Sequence, residues 1–504
     1  MRTATLRFMG LGLGVSLALT GCEGGMHSAA TDEFASTRTA LLSGSLPLVS
    51  DTSLTETAAQ EHCHVPADVL TSLGSGVGRQ LRVRAGSGAT FQQGLCTVTL
   101  ALDAGTGVVR MAPEGIVRLD MLSDAGVSVE LTPMHGTAHD KVGITWHAPT
   151  DSDATLDSMQ VTKPNDLIER LADDGLNDTL IYTAPHGGNI ELQTAEQVER
   201  IAPASSARVS TWRVKGWYAG SNNAKDHWHI TSADIDEHSF PSLGGVMGRD
   251  FKYAVSFHGY ADTSYPDAGV LVGGREDAVF RQGVAEVLTD ALRGTNLKVE
   301  HLPSKFAGSE EQNFINQLAL DRKGLQLEQS STARSLYWER IADAVKAHYA
   351  CLIDTTAEDT LTVSGVAVPG HSNGTGYAST GCGMYAADVT VNARTVATTY
   401  TVGASTSLAG LSQADCTATE WYLGVYKWAP LAGRYRRVGG TRGVGSYTAA
   451  GACLPVLKSG YGAVTVQAPL TGMPQDAYRV VAWARRYPPT GTFTALPVSV
   501  NVGP

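Results

Sequence analysis

The chain has 504 residues, a formal net charge of −11 and seven cysteines. That length implies two to four domains, and the acidic balance argues against nucleic acid as a partner. The sequence carries no nucleotide-binding loop or helix-turn-helix signature, and no apolar stretch reaches transmembrane length.

Arg2 and Arg7 precede an apolar run from Phe8 to Leu19, which ends at Thr20-Gly21-Cys22. This is the charged region, short apolar region and small-residue cleavage site of a bacterial lipoprotein signal. Roughly a dozen apolar residues are too few to span a bilayer stably. Residues 1–21 are therefore expected to be a signal peptide, and Cys22 the lipidated residue that anchors the chain to a membrane. Residues 22–58, rich in Ser, Thr, Ala and Gly, read as a flexible tether. A linker of roughly 36 residues spans about 30–36 Å. Glu23, not Asp, follows Cys22. The expected location is the bacterial cell envelope, lipid-anchored at the outer membrane or cell surface rather than the inner membrane.

Residues 59–150 are read as a small N-terminal β domain, because short alternating runs such as Gln80-Leu81-Arg82-Val83-Arg84 and Thr97-Val98-Thr99-Leu100 are punctuated by Gly. Residues 151–350 alternate strand and helix patterns, as an α/β domain does. Val284 to Leu292 has helical spacing and ends at Gly294, and Ser335 to Tyr349 reads as an amphipathic helix. Residues 351–504, dominated by Gly, Thr, Ser and Val, are expected to form a C-terminal β-sandwich. Within it Trp421, Tyr422, Tyr426 and Trp428, with Arg434, Arg436 and Arg437, read as core and edge residues. Setting Cys22 aside leaves Cys63, Cys96, Cys351, Cys382, Cys416 and Cys453, an even number that in an exported chain favours disulfides. Cys63 and Cys96 lie alone in the N-terminal part and are expected to pair. The other four allow three connectivities, and none of the six has the C-x-x-C spacing of a cysteine zinc site.

The chemistry gathers in the centre. Thr179-Leu180-Ile181-Tyr182-Thr183 reads as a buried strand running into Ala184-Pro185-His186-Gly187-Gly188-Asn189-Ile190-Glu191. Thr194-Ala195-Glu196-Gln197 then has the spacing of a capping box. His186 and Glu191 are thus set on a Gly-rich turn at the carboxyl end of a strand, where open α/β sheets put their chemistry. A second apolar strand, from Tyr253, runs into His258-Gly259-Tyr260, and a third, from Gly324, ends at Glu328. Two histidines, one carboxylate and an open coordination position make a hydrolytic zinc site. A further carboxylate is needed to take the proton of the metal-activated water and pass it to a leaving nitrogen.

From about Asp178 to Tyr349 the chain resembles the poly-γ-glutamate hydrolases, a family of zinc-dependent, carboxypeptidase-like enzymes. The resemblance is carried in order by APHGGNIELQT (184–194), HWHITSADID (227–236), VSFHGY (255–260), VLVGG (270–274) and GLQLEQSSTAR (324–334). It implies His186, Glu191 and His258 as ligands of one Zn2+ per chain and Glu328 as general base and acid. His229 in the HITS segment, Arg334 at the end of the QLE segment and Arg275 after VLVGG become candidate substrate contacts. Tyr260 stands where the resemblance leads one to expect a small residue or Cys. On a strand, His227 and His229 would face one side. His135 and His139 read as surface residues, and His62 and His64 as solvent-facing neighbours of a disulfide.

The expected fold is therefore multidomain: a central α/β zinc-carboxypeptidase-like domain flanked by a small N-terminal β domain and a C-terminal β-sandwich. The expected function is that of a lipid-anchored, monomeric zinc amidase acting on γ-glutamyl bonds of a polymer or peptide. A peptidoglycan or peptide amidase of the same fold is the alternative within enzymes. A lipid-anchored binding or adhesion protein that has lost activity is the alternative outside them. The anchor has a direct test: Cys22→Ser should move the protein from the membrane fraction to the soluble fraction without changing its zinc content. Retention of the variant in the membrane fraction would refute the lipoprotein reading.

Overall fold

The computed structural model describes residues 45–86, 92–121, 127–134, 166–175, 177–202, 209–218 and 224–353. It also describes the segments 359–361, 372–378, 384–391, 399–406, 412–417, 419–429, 434–455, 463–467, 476–486 and 498–503. The expected signal peptide with Cys22, together with His135, His139, Cys382 and the Cys351 side chain, lies outside the described residues, as do the side chains of Trp421, Tyr422, Trp428, Arg434 and Arg436.

Strands β1 (Leu46–Ser50), β2 (His62–Pro66), β3 (Gln80–Ala85), β4 (Gln92–Leu102), β5 (Val109–Met111) and β6 (Ser128–Pro133) close into a barrel in the order β1-β5-β2-β4-β3-β6. Leu48, Val65, Leu81, Val83 and Val98 fill it. Cys63 and Cys96 are disulfide-bonded across the paired strands β2 and β4, with their Cα atoms 5.7 Å apart. One expectation is corrected here. The flexible tether expected over residues 22–58 does not hold from Leu46 on, because Leu46-Pro47-Leu48-Val49-Ser50 pairs with both β5 and β6 and closes the barrel. The run is too short for a periodicity signal. Only the two waiting neighbours make it a strand, and they leave Leu48 without solvent exposure.

A seven-stranded mixed sheet follows, built from β7 (Asp166–Ala172), β8 (Leu180–Gly188), β9 (Val209–Trp217), β10 (Tyr253–Tyr260), β11 (Val270–Gly274), β12 (Val299–Glu300) and β13 (Leu325–Ser330). Its order is β12-β11-β13-β10-β8-β9-β7. The middle four strands, β13-β10-β8-β9, are parallel, and β11 and β7 join them antiparallel. Strands covered on both faces need continuous apolar runs, and every residue of β8, β10 and β13 is buried. The helices Thr194–Ile201, Ala278–Ala291 and Ser331–Ile353 cover one face, packing Val198, Val284, Leu288 and Val345 onto Tyr182 and Phe257. The short helices Ala224–Trp228, Pro241–Met247 and Phe314–Leu318 cover the other, where Leu95 of the barrel joins the same apolar cluster.

The capping box expected at Thr194 is not formed. Gln193 occupies the N-cap position in the left-handed conformation, with φ 76° and no side-chain cap. The Thr194 hydroxyl instead donates to the Glu191 carbonyl oxygen at 2.9 Å, closing the turn that carries Glu191.

Beyond residue 358 the described strands form a seven-stranded and a three-stranded antiparallel sheet, and Cys416 is disulfide-bonded to Cys453. Arg442 reaches back to pair with the buried Glu276 at 2.5 Å and lies over the Tyr253 ring, 4.6 Å from its centroid. Tyr426 packs against the central core, and Arg437 donates through its amide to Asp178 and through its guanidinium to the Asp250 carbonyl. No helix among the described residues is long and apolar enough to cross a membrane. Trp212 anchors the second face of the central sheet: it is fully buried, meets Phe240 and Phe314 at ring-centroid distances of 5.7 and 5.3 Å, and donates its indole N–H to Glu169 at 2.7 Å. Trp212→Ala should cost about 3–5 kcal/mol of stability, read as a lowered midpoint in urea unfolding.

Candidate metal centre and cleft

Three neighbouring parallel strands bring the site together at their carboxyl ends. β8 delivers His186, and β10 delivers His258, which stands in register beside Glu328 of β13. Glu191 lies on the turn after β8, held there by its amide donating to the His186 carbonyl at 2.8 Å. That turn needs Gly188, whose φ is +67° and whose absent Cβ would stand 2.7 Å from the Gly216 carbonyl oxygen.

The ligand atoms converge. His186 Nδ1 lies 3.2 Å from Glu191 Oε2, His258 Nδ1 lies 3.2 Å from His186 Nδ1, and His258 Nδ1 lies 3.8 Å from Glu191 Oε2. A tetrahedral ion with ligand bonds near 2.0–2.1 Å has ligand–ligand edges of about 3.3 Å, so this triangle has the size that such an ion requires. The outward nitrogen of His186, Nε2, donates to the Ile230 carbonyl at 2.9 Å, which sets the ring so that Nδ1 turns inward toward Glu191. The Gly259 amide donates to Glu191 Oε2 at 2.8 Å and fixes the carboxylate. His229 is also at the site: its ring centroid is 4.2 Å from that of His186, and its Nε2 is 3.8 Å from Glu191 Oε1. Ligand atoms of His186, Glu191 and His229 all lie within 4.8 Å of one another. These residues form a possible His/Glu metal site.

Burial sets the electrostatics. It would raise the Glu191 carboxyl, but His186 and His258 outweigh it and hold Glu191 far below the usual carboxylate range. Burial and the neighbouring His186 push His258 down to about 3, so its ring is neutral and able to ligate. Burial and Glu191 raise Glu328 well above its ordinary value, against the opposing pull of Gln326, Lys225 and Arg334. Gln326 donates to Glu328 Oε1 at 2.9 Å and is itself fixed by Asn313 at 2.8 Å. Glu328 Oε2 takes no part in that contact.

The cluster opens into a cleft of about 490 Å³ that His186, Glu191, His229, His258 and Glu328 all line. Tyr260 forms part of its wall, donating to the Ala268 carbonyl at 2.7 Å and stacking on Phe306 with centroids 5.5 Å apart. The two arginines expected at the substrate are not among the lining residues. Arg334 is buried under Gly259 and donates to the carbonyls of Leu192 (2.9 Å) and Gln329 (3.3 Å), tying the Glu191 turn to the end of β13. Arg275 is exposed and donates to the Ser309 carbonyl at 3.3 Å. Among the described residues Lys225 is the lysine that lines the cleft, and nothing in its local sequence distinguishes it from a solvated helix residue.

The HITS region also differs from expectation. Its histidines are not on a strand, since the helix Ala224–Trp228 ends immediately before His229. His227 turns away to donate to the Gln93 carbonyl at 2.7 Å and to stack on Tyr218, while His229 turns into the cleft. His62 is likewise buried rather than solvent-facing, sitting between Glu56 at 3.3 Å and Asp234 at 2.9 Å. Glu61, beside it, is a further site residue that local sequence does not mark: it contacts His229 from 168 residues away.

Residues 158–350 match the family model described as poly-gamma-glutamate hydrolase. The chain is 32% identical over 158 residues to the SPbeta prophage-derived UPF0714 protein YoqZ of Bacillus subtilis (strain 168), a match covering 31% of this chain. The chain spans 50% of the length of that relative. Among solved structures, one of a bacteriophage poly-gamma-glutamate hydrolase is matched at 24% identity with a TM-score of 0.30, over 40% of this chain and 97% of that one. The Agrobacterium tumefaciens gene product Atu2144 is matched at 8% identity with a TM-score of 0.24, over 36% of this chain and 91% of that one. The family-model match over residues 158–350 agrees with the resemblance carried by the five sequence stretches.

The His62 contacts carry a pH dependence. Burial alone would lower the imidazole, but Asp234 and Glu56 outweigh it and raise it above its ordinary value. A histidine raised in the folded state contributes stability that is fully present below its unfolded pKa of about 6.5 and is lost as pH rises through the folded value. The gap in Tm between the wild type and His62→Gln should therefore be widest below about pH 6.5 and narrow above it. A gap that widens toward alkaline pH would contradict the assignment.

Proposed function

From the family match of residues 158–350, we propose that this chain is a zinc-dependent amidase that hydrolyses γ-glutamyl bonds of a poly-γ-glutamate-like polymer or peptide. The observation that carries the reading is the triangle of His186 Nδ1, Glu191 Oε2 and His258 Nδ1, with edges of 3.2, 3.2 and 3.8 Å. Its mixed nitrogen and oxygen donors suit Zn2+, and these three residues would hold one ion in a domain of carboxypeptidase-like architecture. When bound, zinc polarises a carbonyl oxygen and acidifies water.

The remaining work falls to the chain. Glu328 takes the proton of the attacking water on Oε2, Oε1 being held by Gln326, and delivers it to the nitrogen of the breaking C–N bond. Two products leave, one with a new carboxylate and one with a free amine. Lys225 offers a positive charge to the α-carboxylates that a γ-glutamyl chain presents at every unit. Tyr260 and Phe306 form an apolar wall that narrows the approach. The lipid anchor read at Cys22 would keep this activity at the cell envelope, with the chain acting as a monomer.

The test combines metal analysis with product analysis. The wild-type chain should hold about one zinc and release γ-glutamyl fragments from poly-γ-glutamate, detected by mass spectrometry, and a chelator should abolish the release. Glu328→Gln should keep its zinc and lose activity by about 10²–10⁴-fold. Full activity in that variant would sink the mechanism. Cleavage of muropeptides with poly-γ-glutamate left intact would redirect the substrate to peptidoglycan, and a chain that binds no metal would support a binding protein instead.

A further inference from the structure

Glu61 is a buried carboxylate of the N-terminal barrel, in the short 3-10 turn Ala59–Glu61 that leads into β2. It lies outside residues 158–350, the region the family match covers. Both of its oxygens are directed at the cleft wall of the central region. Oε1 is 2.6 Å from His229 Nδ1, and Oε2 accepts from the Thr231 amide at 2.7 Å and from the Thr231 hydroxyl at 3.1 Å.

These contacts determine the state of His229. Thr231 directs an amide and a hydroxyl at Oε2, which casts the Glu61 carboxylate as the acceptor and leaves Oε1 to accept from the ring. The proton in the short contact must therefore sit on His229 Nδ1. In a neutral imidazole, Nε2 then carries the lone pair. That Nε2 faces Glu191, and the ring lies against His186. A metal-site histidine whose other nitrogen donates to a carboxylate has its tautomer and ring angle fixed, and its basicity raised.

The barrel grips the same loop at further points. The Gln80 side chain donates to the Asp234 carbonyl at 2.5 Å and accepts from the Asp236 amide at 3.2 Å, and the Gln80 amide donates to the Ser239 hydroxyl at 2.8 Å. His62 contacts the Asp234 carboxylate, and Thr57 lines the cleft itself.

We propose that the N-terminal barrel is a working part of the hydrolytic centre, and that Glu61 is a positioning residue which fixes His229 with Nε2 toward the metal cluster. The proposal rests on the metal-site reading of His186, Glu191 and His258.

The test uses the full chain with cobalt(II) as the probe, read by affinity and by the visible d–d absorption bands. Glu61→Gln keeps the side-chain volume but removes the charge and one acceptor. It should weaken cobalt binding about 10–100-fold and shift the bands. In a His229→Ala background the same substitution should change neither, because Glu61 acts through that ring. Unchanged affinity and bands in Glu61→Gln alone, or an equal loss in both backgrounds, overturn the proposal. If Glu61→Gln does not fold, His229→Gln decides: an affinity and spectrum like those of the wild type overturn the proposal, and a weakened affinity with altered bands supports it. Cobalt uptake by the wild type with an indifferent Glu61→Gln overturns this inference alone, whereas no uptake by the wild type overturns the metal-site reading and the inference with it.

Discussion

The site depends on the register of three parallel strands. β8, β10 and β13 lie side by side, and neighbouring strands in a sheet are about 4.8 Å apart. Pairing of Ser256 with Thr183, and of His258 with Glu328, brings the ends of the three strands to one edge at matched heights. Histidines from different strands therefore reach ligand distance with little help from loops. A slip of one residue in either pairing would turn a functional side chain to the other face. The apolar residues that cover both faces of the sheet thus do more than stabilise it: they make any other register costly.

Convergence of this kind has its own cost. Two imidazoles and two carboxylates buried together must be hydrogen-bonded or neutralised, and the surrounding contacts meet that need one by one. The Ile230 carbonyl takes the outer proton of His186, the Gly259 amide holds Glu191, and Gln326 holds Glu328. Arg334 runs beneath Gly259, where a Cβ would collide with the guanidinium, and its bonds to two carbonyls tie the turn after Glu191 to the end of β13. Its position explains why an arginine belongs at the end of the GLQLEQSSTAR stretch without contact to the cleft. The inward nitrogens of His186 and His258 meet at Glu191 Oε2, at 3.2 and 3.8 Å.

The flanking regions are joined to this centre by polar contacts as well as apolar ones. The barrel pins the loop that carries His229 through Glu61, His62 and Gln80. From the other end of the chain, Arg442 buries its charge against Glu276 and covers the Tyr253 ring on β10. Buried charge pairs of this kind are worth little as net stability but are costly to break on one side only. They favour a single seating of the outer regions on the central sheet.

Much of this was legible from local sequence. The apolar runs ending in His186, His258 and Glu328 announce strands that end in chemistry, since period and composition act over a few residues. The helical spacing of Val284–Leu292 and Ser335–Tyr349 marks parts of the helices Ala278–Ala291 and Ser331–Ile353 for the same reason, and the isolation of Cys63 and Cys96 marks their pairing. Other features were not local. Leu46–Ser50 became a strand only because the barrel had a gap between β5 and β6. Thr194 gave up its capping role to close the Glu191 turn. His229 and Lys225 took their places from a helix end that periodicity did not reveal, and Arg275 lies on the outer surface. Glu61 is the clearest case. His62 and His64 beside it read as solvent-facing neighbours of a disulfide, and its partner His229 lies 168 residues away. Sequence by itself determined the central strands and the residue types at their ends, because those follow from side-chain identity and short-range spacing. Only the tertiary structure decided which residues hydrogen-bond those side chains and which cation lines the cleft, because those depend on surfaces that meet after folding.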